Sequence, residues 1–303
     1  MKVLGIGQCT LDTIATVDPY PAADEKAEIL AWDEQGGGPT ATAIATLARL
    51  GVPCAFAGIV GDDREGAAIR RIFTDDGVDI SALVTRQASR SQSAFIAVER
   101  RTGRRTIFWR RITGVELRPR ELPEGFPGRF DLVLLDGMMP VISIHAAKRA
   151  RAAGVPAILD AGRVRDGMLD CARHVDYLVG SEIFARQLGW SDRAPEAAEF
   201  TRRVLALGVK TATFTLGARG SFTFTRDGRF ETPAFRVKVV DTTGAGDVFH
   251  GAYAYGVLHR WELRKTVAFA SAVAALKCTR PGGRAGIPTV ARARALMRRP
   301  ATP

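Results

Sequence analysis

The chain has 303 residues, with 43 Lys and Arg against 32 Asp and Glu, a formal charge of +11 and an isoelectric point near 10.1. Hydrophobic residues make up 46% and charged residues 25%, an ordinary globular composition with enough apolar chain for one large core. No apolar run reaches the roughly 20 residues of a membrane span, and the arginines are scattered instead of gathered into the stripe or tail of a nucleic-acid binder.

Neither membrane nor nucleic acid is therefore an expected partner, and the positive charge favours smaller anions such as a nucleotide or an acidic sugar. The first residues, Lys2-Val3-Leu4-Gly5-Ile6-Gly7, read directly as a strand without the regions of a signal peptide. Cys9, Cys54, Cys171 and Cys278 form no Cys-x-x-Cys pair, and His145, His174, His250 and His259 have no metal-ligand spacing. Free thiols and the lack of a leader predict a cytoplasmic protein.

In chain order, strand patterns fall at residues 2–6, 54–60, 132–135, 157–159, 177–179 and 211–215. Helical patterns fall at 40–50, 65–76, 143–153, 181–188, 194–207, 247–259 and 263–277. This alternation predicts an α/β fold, a central and mostly parallel sheet with helices on both faces. Two segments, from about 13–35 and 91–111, break the pattern and read as irregular chain and antiparallel strands. The second is a hairpin turning at Arg101-Thr102-Gly103-Arg104. Together they predict a small β-sheet lid over the carboxyl ends of the parallel strands, where open α/β sheets bind ligands. A single domain over residues 1–303, with that lid as a sub-domain, accounts for the whole chain.

The stretch Val239-Val240-Asp241-Thr242-Thr243-Gly244-Ala245-Gly246-Asp247-Val248-Phe249-His250 carries the chemistry. It reads as two strand-ending valines, a tight turn, then a helix. A Gly-Ala-Gly turn opening a helix leaves backbone N–H groups unpaired in front of the positive end of the helix dipole, a setting for phosphate. Asp247 at that mouth would repel an anion, so it reads better as a base taking a proton from an attacking hydroxyl. His250 follows three residues later and reads as packing beside the site. Rival motifs fail: Gly5-Ile6-Gly7-Gln8-Cys9-Thr10 lacks the third glycine and the helix of a dinucleotide fingerprint, and no Gly-x-x-x-x-Gly-Lys-[Ser/Thr] occurs.

Five stretches in order resemble the ribokinase-like (PfkB) family of carbohydrate kinases across essentially the whole chain. They are the first strand with Asp12; Gly36-Gly37-Gly38-Pro39-Thr40-Ala41-Thr42-Ala43; and Gly58-Ile59-Val60-Gly61-Asp62 through Gly77-Val78-Asp79. The last two are Thr215-Leu216-Gly217-Ala218-Arg219-Gly220 and Asp241–Phe249 (residues 241–249). The resemblance implies transfer of the γ-phosphate of ATP, with Mg2+, to a primary hydroxyl of a sugar. It makes Asp247 the catalytic base and the N–H groups of Gly244, Ala245 and Gly246 an anion hole. Asp12, Gly37, Gly38 and Thr42 fall in the sugar pocket, Thr42 where the family often has Asn. Thr215, Gly217, Gly220 and Gly283 fall along the nucleotide. Asp241 and Thr243 resemble a loop for a monovalent cation such as K+, and an ordinary turn Asp reads equally well there. Ser181 and Phe184 break the Asn-x-x-Glu motif associated with magnesium, leaving Glu182 as the acidic candidate. Arg163 reads either as a phosphate contact or as a surface ion pair.

Within the family the chain is similar to sulfofructose kinases, through Ser91-Gln92-Ser93-Ala94 and the run from Phe269 to Pro288. Lys26 falls where those enzymes hold a sulfonate, whereas Trp109 and Met138 replace an Asn and an Arg of that pocket, with Arg110 or Arg111 as substitutes for the lost charge. The expected substrate is a keto-sugar or a sulfo- or acidic sugar. The alternatives are a nucleoside, stacked on Trp109, Phe108 or Trp32, and a sensor that has lost turnover. Exposed lid edges predict a homodimer joined through the lid.

Overall fold

Apolar runs without polar alternation form strands buried on both faces, and such strands make the centre of this molecule. The computed structural model describes residues 1–191 and 194–298. In chain order the first strands are β1 (Val3–Ile6), β2 (Thr10–Val17), β3 (Ala31–Gly37), β4 (Cys54–Gly61), β5 (Asp79–Arg86), β6 (Ser93–Glu99) and β7 (Arg105–Arg110). After these come β8 (Leu132–Leu135), β9 (Ala157–Ala161), β10 (Tyr177–Ser181), β11 (Thr211–Thr215), β12 (Ser221–Thr225) and β13 (Gly228–Thr232). The helices are α1 (Pro39–Arg49), α2 (Arg64–Asp75), α3 (Pro140–Ala152), α4 (Met168–Ala172) and α5 (Glu182–Gln187). They continue with α6 (Ala194–Ala206), α7 (Ala245–Leu258), α8 (Leu263–Lys277) and α9 (Val290–Met297).

Among the described residues the main sheet has the order β13-β12-β11-β10-β9-β8-β1-β4-β5. From β11 to β5 all neighbours are parallel, and β12 and β13 add an antiparallel edge. Alternate residues of one strand feed two cores, as the pleat requires. Val133 and Leu135 join Ile142, Phe184 and Phe200, whereas Leu132 and Leu134 join Ile44, Phe249 and Phe269. Helices thus cover both faces, the α/β architecture the sequence predicts.

The second sheet has the order β3-β2-β6-β7. Here the structure corrects the expectation of antiparallel strands throughout: β2 pairs with β3 antiparallel but with β6 parallel. The chain passes through β4, α2 and β5 between β2 and β6, so it returns by a crossover and not by a hairpin. The register puts Gln35, Asp12, Ala94 and Trp109 in one row, and directly paired residues share a face. A second correction concerns Val239 and Val240. They belong to no strand and are largely exposed, and Val240 N–H donates to the Cys278 carbonyl at 2.8 Å.

Candidate active site

Glycine sets the entry to α7. Its N-cap, Gly244, has φ +69°, and a Cβ there would stand 3.0 Å from the Gly283 carbonyl oxygen. The loop carrying Gly283 therefore packs directly behind the turn. Asp241 ties the two together, its carboxylate accepting from Thr243 N and Gly282 N, each at 2.7 Å. Burial pushes the Asp241 carboxyl up, but these amides and the Lys277 charge outweigh it and hold it below the usual range. The Ala245 N–H, expected in the anion hole, instead donates to Thr242 O at 3.2 Å. Those of Gly244, Gly246 and Asp247 take no acceptor among the described residues, so the helix dipole and these three amides face one spot.

Asp247 stands at that spot, in the first turn of α7. Burial raises its pKa, with His250, Arg284 and Lys277 opposing. Asp12 comes from the other side, on β2, near enough that the Asp247 charge acts on it. Burial pushes Asp12 up to about 6, and its Oδ1 is buried without a partner among the described residues. Two carboxylates that hold protons this tightly, beside unpaired amides, suit proton transfer at an anion.

Beneath Asp247, the His250 Nδ1 lies 2.6 Å from Gly246 O, and its Nε2 lies 3.0 Å from Val179 O and 3.3 Å from Asp160 Oδ1. Both ring nitrogens face acceptors, so the ring ties the first turn of α7 to β9 and β10. Burial raises the Asp160 carboxyl, with His250 opposing.

The glycine run is closely packed by the chain's own groups. A Cβ on Gly37 would overlap the Asp12 carboxylate, and one on Gly36 would stand 2.5 Å from Arg284 Nη1. The run makes room for the chain's own side chains. The buried Arg284 guanidinium reaches Thr42 Oγ1 at 3.3 Å, Gly37 O at 3.4 Å and Asp76 at 3.4 Å. Thr42 is thus already engaged. Gly38, at φ +95°, starts α1 with its missing Cβ against Gln8 O. From the small sheet, Gln35 Oε1 accepts Arg284 N at 3.1 Å. Trp109 shares the Asp12 face and is 55% exposed, with the Arg111 guanidinium 4.9 Å above its ring. Arg110 lies on the opposite face, paired with Glu65 at 3.1 Å, and so does not serve that pocket. Lys26 is exposed in the connection between β2 and β3 and makes no ion pair among the described residues.

Thr215 ends β11, and the Gly217–Arg219 turn follows. A Cβ on Gly217 would point into open space, whereas one on Gly220 would overlap the Thr232 carbonyl, so Gly220 serves the turn itself. Glu182 is paired with Arg186 and Arg219, each at 2.7 Å, which corrects its reading as a free magnesium ligand. No group of three or more His, Cys, Asp or Glu able to hold a metal occurs among the described residues. Arg163 is exposed with no ion pair among the described residues, so the surface-pair reading is not met. A cavity of about 760 Å³ lies elsewhere, lined by Met1, Asp131, Asp176, Tyr177 and Lys210 at the amino ends of the parallel strands.

The profile of pfkB family carbohydrate kinases matches residues 1–290. The chain belongs to this family. A PfkB kinase is a phosphotransferase with a hydroxyl acceptor, and this chain is one. An ATP-dependent ribose-1-phosphate kinase of Halopiger xanaduensis is 29% identical over 94% of both chains. Fructokinase-2 of Zea mays is 29% identical over 97% of this chain and 93% of its own. The structure of Arabidopsis thaliana ribokinase, complexed with ribose and ATP, superposes with a TM-score of 0.82 at 24% identity, covering 98% and 99% of the two chains.

In this PfkB kinase the structure brings Asp247, Asp12, Gly37, Gly244 and Gly283 into one neighbourhood and leaves Lys26 and Glu182 on exposed or already paired ground. Sequence reasoning missed Gln35, Lys277 and the role of Arg284. A lysine closing an apolar helical run, Ala274-Ala275-Leu276-Lys277, was the one available signal for Lys277.

Proposed function

We propose that this PfkB kinase transfers the γ-phosphoryl group of ATP to a primary hydroxyl of a keto-sugar, or of a keto-sugar bearing an anionic group. Asp247 takes the hydroxyl proton as the oxygen attacks the γ-phosphorus. The bond to the β,γ-bridging oxygen breaks and ADP leaves. The free amides at the start of α7 receive the charge on the transferred group. Asp12 accepts hydrogen bonds from sugar hydroxyls, and the Gly217–Arg219 turn lies along the nucleotide. The observation that carries this reading is the pair Asp247 and Asp12, from different sheets' neighbourhoods, meeting beside three unpaired helix-terminal amides.

The keto-sugar preference draws on the fructokinase likeness, and an anionic substituent finds support in Arg111 stacked on Trp109 over the Asp12 face. Trp32, Phe95 and Phe108 are exposed in one cluster on the other face of the small sheet, which supports a homodimer closed through that sheet. Four buried free thiols suit a reducing, cytoplasmic setting. The test is ATP consumption with Mg2+ over fructose, sulfofructose, fructose phosphates, ribose, ribose 1-phosphate and nucleosides. One keto-sugar turning over far above the others supports the reading, and preference for a nucleoside or an aldose overturns its substrate part.

A further inference from the structure

Lys277 ends α8 fully buried, and its Nζ donates to the backbone carbonyl of Asp241 at 2.9 Å. A buried ammonium is costly unless its surroundings compensate, so its place needs a reason. Burial lowers the Lys277 pKa, and three things oppose it. The carbonyl end of the α8 dipole lies behind it, Asp241 supplies a negative charge, and the Asp247 charge also acts on it. What it holds is the segment that sets the phosphate turn. Val240 N and Asp241 N both donate to Cys278 O, the residue after Lys277, and Gly286 leaves room for the Lys277 carbonyl.

The resemblance implies a monovalent cation at Asp241 and Thr243, and the residues present do not fit one. Such an ion needs several free oxygens around one point. Both Asp241 carboxylate oxygens already accept backbone amides, and the Asp241 carbonyl accepts the ammonium. Among the side chains of that loop only the Thr243 hydroxyl is buried without a partner among the described residues, so its side chains offer such an ion a single free oxygen.

We propose that the Lys277 ammonium is the built-in cation of the phosphate turn, a positioning residue that makes this kinase independent of potassium. It fixes the 241–244 segment from beneath, so the free amides of α7 keep their aim without a bound ion. The inference rests on the kinase reading for its activity readout only.

Two measurements at constant ionic strength test it, in potassium, sodium and choline salts. Wild-type turnover is expected to agree within about twofold across the three, and the thermal midpoint to stay unchanged. Lys277→Ala is expected to lose about tenfold or more in choline, the loss of one charge-assisted hydrogen bond. Potassium or methylammonium should restore that variant and raise its thermal midpoint selectively, which a merely structural lysine would not show. Strong potassium activation of the wild type overturns the proposal, as does a Lys277→Ala variant fully active in choline. Should Lys277→Ala not fold, the wild-type salt series decides alone. Should no substrate be found, the thermal series still decides, so failure here is separable from failure of the kinase reading.

Discussion

Replacing Arg284 with Met isolates the arginine that joins the glycine run to the phosphate turn. Methionine keeps most of the volume and removes three contacts, to Thr42 Oγ1 at 3.3 Å, Gly37 O at 3.4 Å and Asp76 at 3.4 Å. Breaking a buried pair costs about 3–5 kcal/mol when the remaining charge is stranded. Asp76 keeps Arg49 at 3.1 Å, and the lost contacts are long, so about 3 kcal/mol is the appropriate figure. With an unfolding entropy of about 2.1 cal/mol/K per residue, a chain of this length loses about 5 °C in its thermal midpoint. Arg284 also lowers the pKa values of both Asp12 and Asp247, so its loss moves the acid limb of the kcat/KM profile to higher pH. Calorimetry and a pH–rate series read the two effects. A midpoint within about 1 °C of wild type, together with an unmoved acid limb, would refute the role given to this residue.

Gly37→Ala forces the Asp12 carboxylate aside and is expected to raise the sugar KM about 10- to 100-fold, the loss of charge-assisted hydrogen bonds, while the KM for ATP changes little. Asp12, held at about 6, binds the sugar as a carboxylate, so the sugar KM should climb as pH falls below that value, an inflection absent from Asp12→Asn. The same shift has a stability sign. A carboxyl raised above its ordinary value contributes stability at low pH and loses it as pH rises through about 6, so Asp12→Asn should gain stability over wild type at pH 8 more than at pH 5. Glu182→Gln, which alters two ion pairs to exposed arginines, is expected to leave the Mg2+ concentration for half-maximal rate within about twofold, measured by titration at fixed ATP.

The main sheet was legible because its strands are short apolar runs between amphipathic helices, and the phosphate turn because Gly244-Ala245-Gly246 has few other uses before a helix. The glycine run at 36–38 was equally visible, yet its purpose was not. The groups it admits, Asp12 and Arg284, are distant in sequence, and only the folded chain puts them there. Parallel pairing of β2 with β6 was hidden for the same reason, because strand pattern reports alternation and not partners. Val239 and Val240 look like a strand by their β-branched side chains, but the Val240 amide donates to a helix-end carbonyl. The hairpin of β12 and β13 was passed over although Asp227-Gly228 marks its turn. Polar partners such as the Lys277 ammonium leave almost no periodic trace, since one residue in a helix does not alter its pattern.

The central claim is that Asp247 removes the proton from the acceptor hydroxyl. Turnover of Asp247→Asn, with ATP affinity measured in parallel, tests it most directly. A general base contributes about 10²–10⁴-fold, so turnover should fall by at least two orders of magnitude while ATP still binds. Near-normal turnover in that variant would contradict the account.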